Sequence, residues 1–176
     1  MASKKIDLKQ YIRSIPDWPK KGILFRDITP LLGDPRAFAS AVEALSAEFS
    51  GAGVDYVAAV EARGFIFGAA VAEKLAAGFI PIRKKGKLPW RTESFTYDLE
   101  YGTDTLEVHR DAVRSGSKVL MVDDLLATGG TMAAACKLIE KIGGRVAGIA
   151  FLVELADLKG REKLTGYKLT SVISYQ

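Results

Sequence analysis

The sequence has one cysteine and one histidine, too few for several kinds of functional site. Cys136 has no partner for an internal disulfide, and its place among alanines in a helical pattern predicts a core position. His109 alone cannot build a histidine metal cluster. No distinct nucleophile motif lies near His109, so we expect a residue at a strand edge rather than a general base. We therefore predict no metal site formed by protein ligands.

Long apolar runs are also lacking. No run approaches the roughly 20 apolar residues that a membrane span needs, and MASKKIDLKQ has no apolar core of the signal-peptide type. We therefore expect a cytoplasmic protein with no membrane partner. The chain has 176 residues, of which 48% are hydrophobic and 26% are charged, which predicts one soluble domain over residues 1–176.

The common nucleotide-binding motifs are missing as well. The only Gly-Lys pair, Gly86 and Lys87, is followed by Leu88, so no GxxxxGK[ST] loop occurs. No GxGxxG follows a predicted strand. The net charge of +4 suits an anionic ligand or a nucleic acid, and charge alone does not choose between them.

The most informative stretch that is present is residues 119–131, VLMVDDLLATGGT. Val119 to Val122 form a short apolar run typical of a strand buried on both faces. Two carboxylates follow this run, and a cluster of threonine and glycine then opens an amphipathic helix. The pattern predicts a strand, a binding turn and a helix N-terminus.

The residue types in this stretch suit a sugar phosphate. Unpaired N–H groups and the helix dipole attract a phosphate, the hydroxyls of Thr128 and Thr131 add donors, and glycines allow close approach. Asp123 and Asp124 would repel a phosphate but can accept hydrogen bonds from vicinal hydroxyls. Ribose 5-phosphate fits both halves. The alternative is an ordinary strand and helix with a capping threonine and two solvated aspartates.

Strands and helices alternate along the rest of the sequence, which predicts a doubly wound α/β fold with a mainly parallel sheet flanked by helices. We expect a hairpin around Gly102 in residues 95–109. The segment 21–35 is rich in glycine and proline and is expected to be mostly loop. We expect helices at residues 7–15, 35–49, 64–77 and 131–142, and strands at 54–60, 79–82, 119–122, 146–153 and 169–173.

Ligands of such sheets bind beyond the carboxyl ends of the strands, where three polar stretches fall: residues 61–64, 83–87 and 123–131. Arg63 and the N–H of Gly64 suit a diphosphate, although a surface arginine at a helix start would look the same. The lysines of residues 83–87 could form a solvated loop or a nucleic-acid patch, but Trp90 is the only aromatic residue beside them.

The stretch VDDLLATGGT resembles the phosphoribosyl diphosphate (PRPP) motif of the type I phosphoribosyltransferases. Most of the sequence resembles the adenine phosphoribosyltransferases of that family, through GILFRDITPLL, EARGFIFG, RKKGKLP, YDLEYGTDTLEVH and LVELADLKGREKL. The resemblance implies transfer of the 5-phosphoribosyl group from PRPP to adenine, giving AMP and pyrophosphate in purine salvage. It also implies the type I fold, with an N-terminal hood at about 1–34 and a hairpin lid at about 86–109.

The resemblance assigns roles to single residues. Phe25 would stack on the purine while the backbone at Leu24 and Arg26 reads its edge, although Phe25 could equally be a core aromatic. Glu100 would approach N7 of the base from the lid and manage a proton, and a surface glutamate is the alternative. The implied catalytic residues are Glu100, Tyr101, Asp123 and Asp124. The implied substrate-binding residues are Leu24, Phe25, Arg26, Arg63, Gly64, Arg83, Lys84, Lys87, Asp123, Asp124, Ala127, Thr128, Gly129, Gly130 and Thr131.

The resemblance further implies a homodimer and Mg²⁺ bound mainly through PRPP or pyrophosphate, since this ion keeps much of its water and needs few protein ligands. No nucleic-acid partner is expected. Two alternatives remain: a regulator that senses PRPP and binds nucleic acid, and the same enzyme class acting on xanthine, guanine or orotate. The bulky Trp90 in the lid has no assigned role.

Overall fold

The computed structural model describes residues 6–99 and 102–176. Its N-terminal part contains a short 3₁₀ helix, Leu8–Tyr11, and an antiparallel pair of strands, β1 (Arg13–Pro16) and β2 (Leu24–Asp27). The predicted helix over 7–15 is therefore wrong beyond Tyr11. The segment from Arg13 leaves the helical pattern because it pairs with β2, with Ile15 opposite Phe25, and tertiary pairing overrides a short helical pattern.

Two helices follow this hairpin, α1 (Thr29–Gly33) and α2 (Pro35–Ser46), and a short 3₁₀ helix, Ala47–Phe49, continues the second. The predicted start of α2 is confirmed. The side chain of Asp34 accepts hydrogen bonds from the N–H groups of Arg36 and Ala37, each at 2.9 Å. Pro35 needs no such partner because it has no N–H, so the cap satisfies the first donors of the helix.

Seven strands form the central sheet in the order β5-β6-β4-β3-β7-β8-β9. Strands β3, β4, β7, β8 and β9 run parallel, and β6 joins β4 in the antiparallel sense. The predicted mainly parallel sheet is thereby confirmed. The strands are β3 (Tyr56–Val60), β4 (Gly78–Lys84), β5 (Thr92–Asp98), β6 (Thr103–His109), β7 (Lys118–Leu126), β8 (Arg145–Leu155) and β9 (Leu169–Tyr175).

The predicted hairpin around Gly102 is confirmed by β5 and β6, which pair from Thr92 opposite His109 to Asp98 opposite Thr103. Strand β7 is longer than the predicted 119–122. Its pairing with β8 continues to Leu126, opposite Glu154. Asp123 and Asp124 therefore lie within the strand rather than after it, because the long neighbour β8 keeps supplying backbone partners.

Helices cover both faces of the sheet, α3 (Arg63–Lys74) on one side and α4 (Gly130–Lys141) on the other. Each buries apolar side chains against the strands, as α3 does with Phe67 and Val71. The predicted core position of Cys136 is confirmed because its side chain is fully buried. This burial raises the pKa of its thiol to about 12. In the described part of the protein, every helix is too short or too polar to span a membrane.

Candidate active site

Three loops meet at one edge of the sheet, as the sequence predicts. Strand β3 pairs with β4 on one side and with β7 on the other, so the segments that follow these strands are neighbours. Residues 60–63 and 123–132, together with Phe151, line a cleft of ≈ 260 Å³. The segment 83–87 after β4, which we call the basic loop, lies beside this cleft because its first residues bond to Glu61.

Residues 127–131, which we call the phosphate loop after the ligand predicted from the sequence, run from the end of β7 into the first turn of α4. Gly129 has φ +78°, a left-handed conformation that favours glycine, and it precedes the first helical residue, Gly130. Since Gly129 has no side chain, it leaves the first N–H groups of α4 uncapped. All five predicted residues of this loop, Ala127, Thr128, Gly129, Gly130 and Thr131, line the cleft. The arrangement can bind an anion at the helix N-terminus.

The phosphate loop packs backbone to backbone against Gly160, at the start of a short 3₁₀ helix, Gly160–Leu164. A Cβ on Gly129 would overlap the carbonyl oxygen of Gly160, and a Cβ on Gly160 would overlap that of Ala127. The ammonium of Lys163, from the same 3₁₀ helix, lies 3.8 Å from the position of a Cβ on Gly130. The C-terminal segment thus forms a second wall of the loop.

Asp123 and Asp124 both lie at the cleft, and the structure brings them to the start of α3. Oδ2 of Asp124 lies 2.7 Å from Nε of Arg63, and Asp123 approaches Gly64 so closely that a Cβ there would be 2.7 Å from Oδ1. The Nε–H of Arg63 does not point at Oδ2 of Asp124, so this contact is an ion pair. Among residues 6–99 and 102–176 this buried oxygen has no hydrogen-bond donor, and it is available for a ligand hydroxyl.

Burial dominates the electrostatics of the two aspartates. Burial and the neighbouring charge of Asp124 raise the pKa of Asp123 well above its usual value. Burial also raises the pKa of Asp124, while the guanidinium of Arg63 opposes this change. The pair is therefore costly to ionise without a ligand, and hydroxyl donors or nearby cations would favour its charged form.

Arg63 connects the cleft to the N-terminal hairpin. Its guanidinium carbon lies 5.5 Å from the ring centroid of Phe25, whose ring meets Trp18 edge-on at 4.4 Å. Phe25 is half-buried, so one part of its ring remains accessible beside the cleft. Leu24 is exposed, and the guanidinium of Arg26 stacks 3.7 Å from the ring centroid of Tyr175. Because successive residues of a strand direct their backbone N–H and C=O groups to opposite edges, Leu24 and Arg26, which are two residues apart, share one edge of β2.

Glu61 joins the loop after β3 to the basic loop. Its carboxylate accepts a hydrogen bond of 2.7 Å from the N–H of Lys84 and one of 3.1 Å from Nη2 of Arg83. Burial disfavours the charged form of Glu61, but these donors outweigh it, and the pKa lies below the usual value. Arg83 also donates to the carbonyl of Lys87 at 3.3 Å, which closes the loop on itself.

The hairpin of β5 and β6 contacts both loops. Asp104 accepts a hydrogen bond of 2.8 Å from the ammonium of Lys84, and Glu107 accepts one of 2.9 Å from the N–H of Gly86. On the other side, the hydroxyl of Tyr97 lies 3.2 Å from that of Thr131 in the phosphate loop. Glu100 and Tyr101, the predicted catalytic residues of the lid, lie outside the described residues.

Sequence reasoning missed several residues that shape this site. Glu61 stands in the EARGF stretch, and its role as a partner of Arg83 could have been predicted from the sequence. An acid next to a predicted diphosphate-binding loop needs a cationic partner. Gly160 and Tyr97 carried no such signal, since their contacts with the phosphate loop join segments far apart in the sequence. Trp90 is 64% exposed, and nothing in the structure explains why a bulky aromatic residue stands at this position. The described residues hold no group of three or more histidine, cysteine, aspartate or glutamate side chains suited to a metal ion.

Comparison with known proteins agrees with this geometry. Residues 32–174 match the family model of the phosphoribosyl transferase domain. Adenine phosphoribosyltransferase from Thermotoga neapolitana is 56% identical over 170 residues, which cover 97% of this chain and 100% of the relative. The protein of that name from Halothermothrix orenii is 54% identical over 168 residues, with 96% and 99% covered.

Solved structures give the same result. The crystal structure of adenine phosphoribosyltransferase from Thermoanaerobacter pseudethanolicus has a TM-score of 0.93 at 55% identity, covering 96% of this chain and 98% of that one. The enzyme from Saccharomyces cerevisiae, complexed with an imino-altritol bisphosphate and adenine, has a TM-score of 0.90 at 38% identity, with 94% and 96% covered. These findings confirm the resemblance seen in the motifs. The chain belongs to the phosphoribosyltransferase family and, within it, to the adenine phosphoribosyltransferases.

Proposed function

We propose that the protein transfers the 5-phosphoribosyl group from PRPP to adenine and releases AMP and pyrophosphate, a step of purine salvage. The observation that carries this proposal is the meeting, in one cleft, of an uncapped helix N-terminus, the buried carboxylate of Asp124, the half-buried one of Asp123 and an arginine. These groups match the phosphate, the hydroxyls and the diphosphate of a single substrate. Family membership supports the reaction and the choice of adenine.

The 5-phosphate binds at the phosphate loop, where the N–H groups at the start of α4 and the hydroxyls of Thr128 and Thr131 donate to it. The ribose hydroxyls donate to Asp123 and Asp124. Oδ2 of Asp124 supports this placement, since it forms an ion pair with Arg63 but has no hydrogen-bond donor among the described residues, and a ligand hydroxyl would supply one. Asp123 and Asp124 then lie close to C1′, where positive charge develops as the bond to diphosphate breaks.

The diphosphate binds on the other side of the cleft, held by Arg63, the N–H of Gly64, and the cations of the basic loop, Arg83, Lys84 and Lys87. The bond between C1′ and the diphosphate oxygen breaks, and its electron pair leaves with pyrophosphate. N9 of adenine forms the new bond to C1′, and adenine gives up one proton. Glu100 and Tyr101 of the lid are proposed to manage that proton near N7 and to exclude water.

Adenine lies against Phe25. The backbone C=O and N–H groups that Leu24 and Arg26 present on one edge of β2 can pair with the 6-amino donor and the N1 acceptor of the base. The proximity of Phe25 to Arg63 supports this arrangement, because it places the ring beside the diphosphate end of the cleft. Stacking provides affinity and the backbone pair provides selectivity.

Mg²⁺ is proposed as the cofactor, held mainly by PRPP or pyrophosphate oxygens and water. The donor set fits this role, because Asp123 and Asp124 offer carboxylate oxygens at the cleft while the described residues form no closed cage. When bound, the ion neutralises charge on the leaving diphosphate. We further propose a cytoplasmic homodimer without a nucleic-acid partner. Each subunit would act as one domain over residues 1–176, with a hood at about 1–34 and a lid at about 86–109.

The test is pyrophosphate release from PRPP and Mg²⁺ with adenine, hypoxanthine, guanine, xanthine and orotate compared side by side. The expected result is rapid release with adenine alone. Release with a different base would overturn the role given to residues 24–26 while keeping the reaction class. Tight binding of PRPP without release for any base would overturn the enzyme proposal in favour of a PRPP-sensing regulator.

A further inference from the structure

A polar cluster made of Arg161, Glu154 and Ser171 lies behind the phosphate loop. The guanidinium of Arg161 forms a fork on the carboxylate of Glu154, with Nε 2.6 Å from Oε1 and Nη2 2.7 Å from Oε2. The hydroxyl of Ser171 donates to Oε2 of Glu154 at 2.5 Å and accepts from Nη2 of Arg161 at 3.0 Å. We call these three residues the rear clamp.

The rear clamp is anchored on a buried carboxylate, although the side chain of Arg161 is itself 50% exposed. Glu154 is only 7% exposed and lies near the end of β8, while Ser171 lies on the neighbouring strand β9. The hydrogen bonds from Arg161 hold the pKa of Glu154 below its usual value. A buried carboxylate with a bidentate partner tolerates little movement, because losing either contact leaves a charge unpaired.

Arg161 follows Gly160 directly, and Gly160 contacts the phosphate loop with no side chain between the two backbones. A Cβ on Gly160 would overlap the carbonyl oxygen of Ala127 and would lie 2.8 Å from Cδ1 of Leu126. A Cβ on Gly129 would overlap the carbonyl oxygen of Gly160. A small displacement of residue 160 therefore changes the space left for residues 127–129, since close-packed backbone transmits such shifts.

We propose that Arg161 is a positioning residue for the 5-phosphate end of PRPP, an inference that rests on the proposed function. Through its fork on Glu154, Arg161 fixes Gly160 and thereby sets the shape of the phosphate loop. Arg161 does not contact the substrate in this arrangement. Its loss acts on binding of the phosphate end and leaves the diphosphate and adenine ends unchanged.

The test is Arg161→Gln in the full-length protein, with ribose 5-phosphate and pyrophosphate as separate probes. We expect the calorimetric Kd for ribose 5-phosphate and the KM for PRPP to rise about 10-fold. The inhibition constant of pyrophosphate and the KM for adenine should stay within about 2-fold of the unmodified protein. Arg161→Lys keeps the charge but loses the fork, so its Kd for ribose 5-phosphate should lie between those of the unmodified protein and Arg161→Gln.

The matched control is Lys74→Gln, which also removes one cation from an ion pair, here the exposed contact of Lys74 with Glu43 on the helices. It should leave both probes unchanged. Equal weakening of ribose 5-phosphate and pyrophosphate in Arg161→Gln would show a general structural role and overturn the proposal, as would unchanged binding of ribose 5-phosphate. If Arg161→Gln is insoluble, Arg161→Lys takes its place, because it keeps the charge and loses the fork on Glu154. Unchanged ribose 5-phosphate binding in that variant would also overturn the proposal.

Failure of the proposed function would look different. Calorimetry with ribose 5-phosphate does not depend on turnover, so it reports on the phosphate loop even if no AMP forms. An unmodified protein that binds ribose 5-phosphate without making AMP would refute the transferase and leave the role of Arg161 open to the same measurement. An active enzyme whose Arg161→Gln variant binds ribose 5-phosphate normally would refute the role of Arg161 alone.

Discussion

The phosphate loop lines the cleft and the basic loop lies beside it, but the two loops are held in place by different forces. Backbone packing fixes the phosphate loop, because Gly129 and Gly160 leave no room for a Cβ. Side-chain hydrogen bonds fix the basic loop, through Glu61, Asp104 and Glu107. Gly86 in the basic loop has the same φ as Gly129, +78°, yet nothing lies within 4 Å of the position of its Cβ.

The difference suits the two ends of the proposed substrate. The 5-phosphate keeps its place throughout the reaction, so a preformed cradle of backbone donors loses little by being rigid. The diphosphate must leave, and side chains held by partly exposed ion pairs can rearrange as it does. We therefore expect changes in the phosphate loop to be far more damaging than matched changes in the basic loop.

The largest expected effect distinguishes two glycines, Gly129 and Gly86, that have the same positive φ. Gly129→Ala should raise the KM for PRPP more than about 100-fold and destabilise the protein by about 3 kcal/mol, since strain at positive φ adds to overlap with Gly160. Gly86→Ala meets only the backbone penalty of about 1 kcal/mol. Initial rates and thermal unfolding measure both. Equal costs at the two positions would contradict the comparison.

A second change concerns the half-buried carboxylate of Asp123, near the end of β7 before the phosphate loop. Asp123→Asn keeps the size of the side chain but removes a carboxylate that we propose lies near C1′, so kcat with adenine should fall about 100-fold. The ligand-free variant should unfold at a higher temperature than the unmodified protein at neutral pH, because burial disfavours the charge of Asp123. An equal or lower unfolding temperature would contradict the claim that the charge of Asp123 is unfavourable in the folded protein.

The pH dependence of this stability difference has a defined sign. The pKa of Asp123 is raised in the folded protein, so below that pKa the native state keeps a proton that the unfolded chain releases. The advantage of Asp123→Asn is therefore full above the folded pKa and shrinks as the pH falls toward 3.8, the value for the unfolded chain. Unfolding in denaturant across this range, with both proteins compared at each pH, measures the difference.

A smaller effect is expected at the contact between the loop after β3 and the basic loop. Glu61→Gln keeps one acceptor for the N–H of Lys84 but loses the charge that faces Arg83. Inhibition by pyrophosphate should weaken about 5- to 10-fold, while binding of ribose 5-phosphate should not change. The inhibition constants of pyrophosphate and of ribose 5-phosphate, measured for both proteins, provide the check. Weaker inhibition by ribose 5-phosphate instead would mean that the phosphate and diphosphate ends of the substrate are assigned the wrong way round.

The smallest effect is expected for an exposed pair. Lys84→Gln breaks the contact with Asp104, but the side chain of Lys84 is 58% exposed, so the free energy of unfolding should change by less than about 1 kcal/mol. Denaturant unfolding measures it. A loss of several kcal/mol would mean that the basic loop is as firmly built as the phosphate loop.

These two loops also differ in how well the sequence predicts them. The strand, the two aspartates and the glycines of residues 119–131 are contiguous, and each carries a local signal, so the geometry of the phosphate loop could be inferred. The rear clamp could not, because Glu154, Arg161 and Ser171 come together only through pairing of β8 with β9. Binding partners drawn from distant segments leave no periodic pattern to detect.

In the N-terminal part, the sequence predicts an element that does not form. The apolar spacing of residues 7–15 is helical, yet only Leu8–Tyr11 turns, and Arg13–Pro16 pairs with Leu24–Asp27 instead. A nine-residue helix is marginal without packing, so a nearby strand partner decides the outcome. The same pairing forms the strand that carries Phe25, inside a segment expected to be loop. The roles of Glu100 and Tyr101 in the lid stay predictions.

The most direct test of the two-ended cleft is a crystal structure with AMP bound. The account predicts the phosphate of AMP within about 3 Å of the N–H groups at the start of α4, where anions bind helix ends. The ribose hydroxyls should contact Asp123 and Asp124, with adenine against Phe25. A phosphate bound instead at Arg63 and the basic loop, with the N-terminus of α4 unoccupied, would reverse the assignment and contradict the account.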